Sequence, residues 1–276
     1  MNVLFAANDA LVDGLELAIW TLLHHNKGIE INIYVATMSL TIYPKDDVAR
    51  DYRAIDHGQR EWLKKIVAYK GQGLVNICFI DCQELYHQYL EKSVNYDTGF
   101  TPFASLRLIA DVMLPDIDDL LYLDADIAIQ GSLEGMYHKY IEDNPYELAA
   151  SYAYDAFNGK GELVSGVLVM NLAKMRKTGF LGRARKIYNT EKFLFPDQMA
   201  LQLAGPCTRL PETYGYINEL EKCYYTPVIL HFTDKLLPKI YLQSIPNAKE
   251  YFFKRYPQFK YVQDGMELLK KLDITI

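Results

Sequence analysis

The sequence predicts an α/β fold: a mostly parallel central sheet flanked by helices and followed by a helical C-terminal extension. Three observations predict it. Short apolar segments rich in β-formers recur along the chain, longer mixed segments with helical spacing separate several of them, and half of the 276 residues are hydrophobic, enough for a substantial core. The β-like segments are Val3 to Ala7, Ile31 to Ala36, Val75 to Ile80, Leu120 to Leu123, Leu148 to Ser151, Val167 to Met170 and Val228 to His231. Between them, Asp13 suits the cap of a helix running to about His25, and the charged stretch from Asp46 to Tyr69 has helical periodicity. Pro102 to Leu114 reads as a further helix, closed by Pro115. No repeat or low-complexity linker interrupts the chain, so residues 1–245 read as one domain and 246–276 as an extension packed on it.

In the extension, Tyr251, Phe252, Phe253, Tyr256, Phe259 and Tyr261 are mixed with Lys249, Lys254, Arg255 and Lys260. The mixture reads first as a helix packing back on the domain; a peripheral contact with a membrane surface is the alternative. The start of the chain has no basic region and only a short apolar run, unlike a signal peptide, and no stretch approaches the ~18 apolar residues of a membrane span. A formal charge of −6 without a Lys/Arg block argues against nucleic acid as a partner. Cys78, Cys82, Cys207 and Cys223 lack Cys-x-x-Cys spacing and read as buried thiols, which suits a cytoplasmic location.

The chemistry concentrates in Leu120-Leu121-Tyr122-Leu123-Asp124-Ala125-Asp126-Ile127-Ala128-Ile129. An apolar strand does not keep two charges unless something compensates them, and a divalent cation is the natural compensator. Residues i and i+2 of extended chain project to one side, so Asp124 and Asp126 can face one ion at the strand's carboxyl end, where open α/β sheets bind ligands. The bland alternative is a surface turn that carries two Asp. Arg107 has its own bland alternative in a surface salt bridge, and His231 in a core histidine beside a strand.

Four blocks in order resemble glycosyltransferase family 8, whose members share a nucleotide-sugar-binding fold of the GT-A type. They are Phe5-Ala6-Ala7-Asn8-Asp9; Arg107 followed by Tyr122 to Asp126; Gly166-Val167-Leu168-Val169-Met170-Asn171-Leu172 followed by Asp197-Gln198; and His231-Phe232. The resemblance implies that Ala6, Ala7, Asn8 and Asp9 lie at the nucleoside and that Arg107 reaches the donor. It also implies that Asp124, Ala125 and Asp126 line the donor site, with Asp124, Asp126 and His231 as ligands of Mn²⁺, or of Mg²⁺ as the alternative ion. Asp197 and Gln198 would contact the donor sugar beside the anomeric carbon, although Pro196-Asp197 also reads as the start and cap of a helix. The implied activity is a metal-dependent, retaining transfer of a hexose, galactose or glucose, from a UDP-sugar to a saccharide acceptor. Two carboxylates, an imidazole and phosphate oxygens suit Mn²⁺ better than Zn²⁺, and a cation stabilises the charge that develops on the leaving diphosphate.

The departures from the family pattern cluster on the donor. Leu11 stands where an aromatic residue commonly stacks on the base, Ala10 replaces its polar neighbour, Val164 an Asn, and Met199 a second Asp. After the histidine, Asp234 and Leu237 replace a Gly and a Lys that grip the diphosphate, with Lys235 and Lys239 nearby. These changes motivate the alternative of a non-catalytic relative with a degenerate donor site. For the acceptor, Tyr152, Tyr154, Phe157 and Tyr214 are candidate stacking rings and Asp155 a candidate acid.

Overall fold

A computed structural model describes residues 1–43, 49–98, 100–154, 161–217, 226–232 and 248–272. β1 (Asn2–Ala6) is followed by a 3-10 turn at Asp9–Leu11 and by α1 (Val12–His25). Then come β2 (Ile31–Thr37), the hairpin of β3 (Leu40–Ile42) and β4 (Arg50–Tyr52), α2 (His57–Gly71), β5 (Val75–Asp81) and α3 (Gln83–Tyr89). A 3-10 segment, Pro102–Ile109, leads into α4 (Ala110–Met113), β6 (Asp119–Leu123), β7 (Ile127–Ile129) and α5 (Glu134–Glu142). The long pair β8 (Leu148–Tyr154) and β9 (Gly161–Asn171) precedes α6 (Leu172–Thr178), α7 (Phe180–Thr190) and α8 (Pro196–Ala204). The short strands β10 (Thr208–Arg209), β11 (Tyr214–Ile217) and β12 (Ile229–His231) are followed by α9 (Ala248–Arg255) and α10 (Lys260–Lys271).

The central sheet runs β10-β8-β9-β6-β1-β2-β5. β6, β1, β2 and β5 are mutually parallel, β10 is parallel to β8, and β9 runs antiparallel to both its neighbours. Strand alternation divides the core: Val3 and Phe5 face α1 and α2 on one side, while Leu4, Ala6 and Tyr122 face the 3-10 segment, α7 and α8 on the other. A second sheet, β11-β12-β7, stands beside the carboxyl end of β6 and carries His231.

Three sequence expectations need correction. The helix expected from Asp46 begins only at His57, because Asp56 and Gln59 form a reciprocal capping box (2.8 and 3.0 Å) and Arg50–Tyr52 pairs with β3 instead. Pro102 to Leu114 is mostly 3-10, since Ser105 Oγ and Arg107 Nε donate to the carbonyls three residues back, at 2.7 and 2.6 Å. Asp13 sits in the first turn of α1, whose cap position is Leu11. Of the thiols, Cys82 is buried, with a pKa pushed up to about 12 by that burial, whereas Cys78 is exposed because β5 is an edge strand. Cys223 lies outside the described residues.

The C-terminal helices share the α1 side of the core: Phe252, Phe253, Tyr256, Phe259, Val262, Met266 and Leu269 are all buried there. Gly265 lets α10 close on Trp20, since a Cβ would come 2.8 Å from the ring's Cη2. Phe232 packs edge-on against Phe252 and Tyr256, with ring centroids 5.7 and 5.4 Å apart, so these helices buttress the residue next to His231.

The packing of α10 on α1 makes stability depend on pH. The His24 ring lies 4.3 Å from Tyr261, and burial, then the charges of Lys70, His25 and Lys27, lower its pKa from 6.5 to about 4. The unfolded chain therefore binds a proton that the folded chain refuses. The His24 contribution should be constant above pH 6.5 and make stability fall as pH drops from there toward 4. Melting temperatures across that window should show a shallower slope for His24→Gln; an unchanged slope would remove His24 as the source.

Candidate active site at the carboxyl end of the sheet

The strand β6 ends at Leu123, and the chain then breaks out of the sheet through Asp124-Ala125-Asp126 before resuming as β7. The Ala125 carbonyl rests on α1 at Gly14, where a Cβ would lie 2.6 Å from its oxygen. Asp124 N–H donates to Gly166 O (2.9 Å), and Phe232 N–H donates to Asp126 O (2.9 Å), so both flanking strands hold the loop. β12 pairs with β7 so that His231 stands opposite Ile127, beside Asp126.

His231 Nε2 lies 3.5 Å from Asp124 Oδ2 and 3.2 Å from Asp126 Oδ1. One ligand atom from each of the three residues falls within 4.8 Å of the others. The imidazole lies flat on Gly166, whose absent side chain makes the room: a Cβ there would stand 2.6 Å from Nδ1 and 2.9 Å from Nε2. Nδ1 is buried and has no hydrogen-bond partner.

Arg107 is the hub of the site, and its side chain is only 3% exposed. Nη2 reaches Asp124 Oδ1 at 2.8 Å, Nε lies 3.3 Å from Asp197 Oδ2, Nη1 donates to the Ser165 carbonyl, and the guanidinium covers the Tyr122 ring at 4.4 Å. Tyr122 Oη donates to the same Asp124 Oδ1 (2.8 Å), and Ser165 Oγ donates to Asp197 Oδ2 (3.1 Å). The Ser165 carbonyl is free for Arg107 because β9 bulges. Ala150 pairs with Leu168 and the next residue, Ser151, with Val164, which leaves Ser165, Gly166 and Val167 without partners on β8. Asp197, in the first turn of α8, turns to Arg107 and Ser165 instead of capping that helix. Gln198, one position on, is half-buried.

Three carboxylates, Asp124, Asp126 and Asp197, face one guanidinium, so with a neutral imidazole the site carries two uncompensated negative charges. Burial, then Asp126, raise the Asp124 pKa, and Arg107 holds it back; burial disfavours charge on His231, but Asp126 and Asp124 raise its pKa. Arg107 is likewise held charged: Asp124, Tyr122, Asp197 and Asp126 together outweigh its burial. A divalent cation would balance this charge, and an oxygen-rich donor set with one imidazole is of the kind that suits Mn²⁺ or Mg²⁺.

At the end of β1, Ala6 and Ala7 are buried, and Ala7 N–H donates to Ala36 O (3.0 Å). Asn8 is also buried, and its Oδ1 has no partner, while Asp9 opens the 3-10 turn with its N–H on Arg53 O (3.0 Å). Val164 is buried in β9 and Leu11 packs on the core. Asp155, Phe157, Asp234, Lys235, Leu237 and Lys239 lie outside the described residues.

Residues 2–235 match the family described as Glycosyl transferase family 8. Among curated proteins, mouse glucoside xylosyltransferase 2 is 30% identical over 95 residues, which is 29% of this chain and 21% of that protein. Among solved structures, the galactosyltransferase LgtC in complex with donor and acceptor sugar analogs superposes with a TM-score of 0.61 at 15% identity, covering 100% of this chain and 98% of that one. The WbbM bifunctional glycosyltransferase superposes with a TM-score of 0.66 at 12% identity, over 91% of this chain and 51% of that one. The chain thus spans about half of WbbM, and its alignment to the curated relative takes in about a fifth of that protein. The fold is of the GT-A type, and the chain belongs to glycosyl transferase family 8.

Proposed function

We propose that the protein is a metal-dependent, retaining glycosyltransferase that moves a hexose, galactose or glucose, from a UDP-sugar to a saccharide acceptor. The observation that carries this reading is the convergence of Asp124, Asp126 and His231 on one point, with Arg107 bridging Asp124 to Asp197. Asp124, Asp126 and His231 would hold Mn²⁺, or Mg²⁺, which when bound supplies positive charge against the leaving diphosphate. Asn8 Oδ1, buried and unpaired at the end of β1, supports nucleoside binding there, with Asp9 beside it. Arg107 holds Asp197 beside the donor sugar, and Gln198 lies next to it on α8.

In the transfer, the bond from the anomeric carbon to the phosphate oxygen breaks, the acceptor hydroxyl oxygen bonds to that carbon, and the hydroxyl proton passes to the departing phosphate oxygen. Asp197 is tied up by Arg107 and Ser165, and an amide such as that of Gln198 is a poor nucleophile, which supports attack from the face of the leaving group without a covalent intermediate. A cytoplasmic location belongs to the same proposal, supported by the thiols of Cys78, Cys82 and Cys207, which are unpaired. Peripheral membrane contact would use Lys254, Arg255, Lys270 and Lys271, beside the exposed Leu268 and Leu272.

UDP release measured with Mn²⁺ over a panel of UDP-sugars tests the activity: slow hydrolysis of one UDP-hexose is expected, and no release from any of them would overturn it. Gly166→Ala tests how the histidine is placed. The added Cβ would strike the His231 ring, so metal-dependent UDP affinity should fall about tenfold or more, with about 1–3 kcal/mol of stability lost to overpacking. Calorimetric titration showing wild-type affinity would mean that His231 can shift without consequence.

A further inference from the structure

We propose that the cavity between the β3–β4 hairpin and the loop after α3 is a second saccharide site, holding a sugar unit of the acceptor away from its reacting hydroxyl. The assignment of that sugar to the acceptor rests on the transferase reading above; the cavity's chemistry does not. The cavity measures about 640 Å³, within the range of small-molecule sites. Its lining includes the apolar and aromatic side chains of Tyr43, Val94 and Tyr96 and the charged side chains of Lys92, Asp97 and Lys192. Sugar rings bind such surfaces by laying their C–H faces on aromatic rings while their hydroxyls meet charged and polar groups at the rim.

The charges give a phosphate no net attraction. Lys192 Nζ lies 3.6 Å from Asp97 Oδ1, and Glu91 lines the same cavity, so its cations are matched by carboxylates. A neutral polyhydroxylated ligand can offer hydroxyls to both signs of charge, whereas a nucleotide would find no excess of positive charge there.

The wall is rigid before any ligand arrives. Asn95 Nδ2 donates to Tyr188 O and Glu191 O (both 2.6 Å), Ser93 Oγ donates to Tyr188 O (2.7 Å), and Val94 N–H donates to Asn189 O (3.2 Å). Ser93 and Asn95 are thereby buried against the end of α7, while Lys92, Val94 and Tyr96 around them line the cavity, as Ser93 itself does. Such preorganisation lowers the ordering cost of binding. The same loop continues toward the candidate active site. Arg50 Nη1 ties the hairpin to Thr98 O (3.0 Å), and the Phe100 ring lies 5.4 Å from Phe195, two residues before Asp197. Asp97 itself is ten residues ahead of Arg107 along the segment.

Tyr43 is 72% exposed and the Lys192 side chain 68% exposed, so Tyr43→Ala and Lys192→Ala should fold normally. Saturation-transfer NMR of the whole chain with lactose, maltose and cellobiose should detect at least one with a millimolar dissociation constant. Each variant should weaken that binding about fivefold or more, with UDP and Mn²⁺ titrations unchanged. Binding of none of the three by the wild-type chain up to about 20 mM, or equal binding by the variants, would overturn the proposal. If the wild-type chain hydrolyses a UDP-sugar while the variants keep full saccharide affinity, this site alone fails. If hydrolysis is absent while the variants lose saccharide binding, the transferase reading alone fails.

Discussion

The Asp126→Asn variant should lose metal-dependent UDP binding by about 100-fold or more while melting at the wild-type temperature or above it. Removing a metal ligand should cost at least as much as the 10–100-fold typical of residues that only orient ligands. The stability expectation runs the other way. Asp126 is 30% exposed and raises the pKa of its neighbour Asp124 by repulsion, so neutralising it relieves an unfavourable pair in the metal-free protein. Its contact with the buried His231 pulls the other way and limits the gain. A residue that costs stability and is needed for binding marks a functional site. Calorimetric titration beside a thermal melt reads both effects, and a variant that binds UDP with Mn²⁺ as the wild type does would exclude Asp126 as a ligand.

Arg107→Leu should be the most damaging substitution to the fold of the site. The guanidinium is the only cation in contact with both Asp124 and Asp197 among the described residues, and its loss leaves two poorly exposed carboxylates without their permanent counter-charge, with Tyr122, His231 and Ser165 as their remaining partners. Breaking such a buried pair from one side costs about 3–5 kcal/mol, and for a chain of this size that lowers the melting temperature by on the order of 10 °C. Arg107→Lys should recover little, because one ammonium cannot reach Asp124, Asp197 and the Ser165 carbonyl together. Adding Asp124→Asn to Arg107→Leu should cost less than the sum of the two single changes, because the partner left unpaired is itself removed. Additive losses in a denaturation series would contradict the hub.

The pair Asp124 and Asp126 was legible in the sequence because two charges in an apolar run call for compensation, and the strands β1, β2, β5 and β6 were legible because each is a short segment rich in apolar β-formers. The antiparallel course of β9 was not, since pairing direction leaves no mark in the composition of a strand buried on both faces. Arg107 had a surface ion pair as its alternative reading. Its burial depends on β6, β9 and α8 meeting, which no local pattern encodes. Tyr122 and Ser165 were missed, yet Tyr122 had a signal: two residues before Asp124 on one strand, it shares that carboxylate's face. Ser165 had none, because its role follows from a bulge in β9. The β3–β4 hairpin was hidden by charged residues that also suit a helix, while the capping box at Asp56 and Gln59 was the better guide to where α2 begins.

The central claim is that Asp124, Asp126 and His231 form one cation site that serves the donor, and calorimetric titration of the wild-type chain with UDP, in Mn²⁺ and again after chelation, tests it most directly. The account predicts saturable binding in Mn²⁺ that weakens tenfold or more when the metal is removed. Equal affinity in both conditions, or no UDP binding in either, would contradict it.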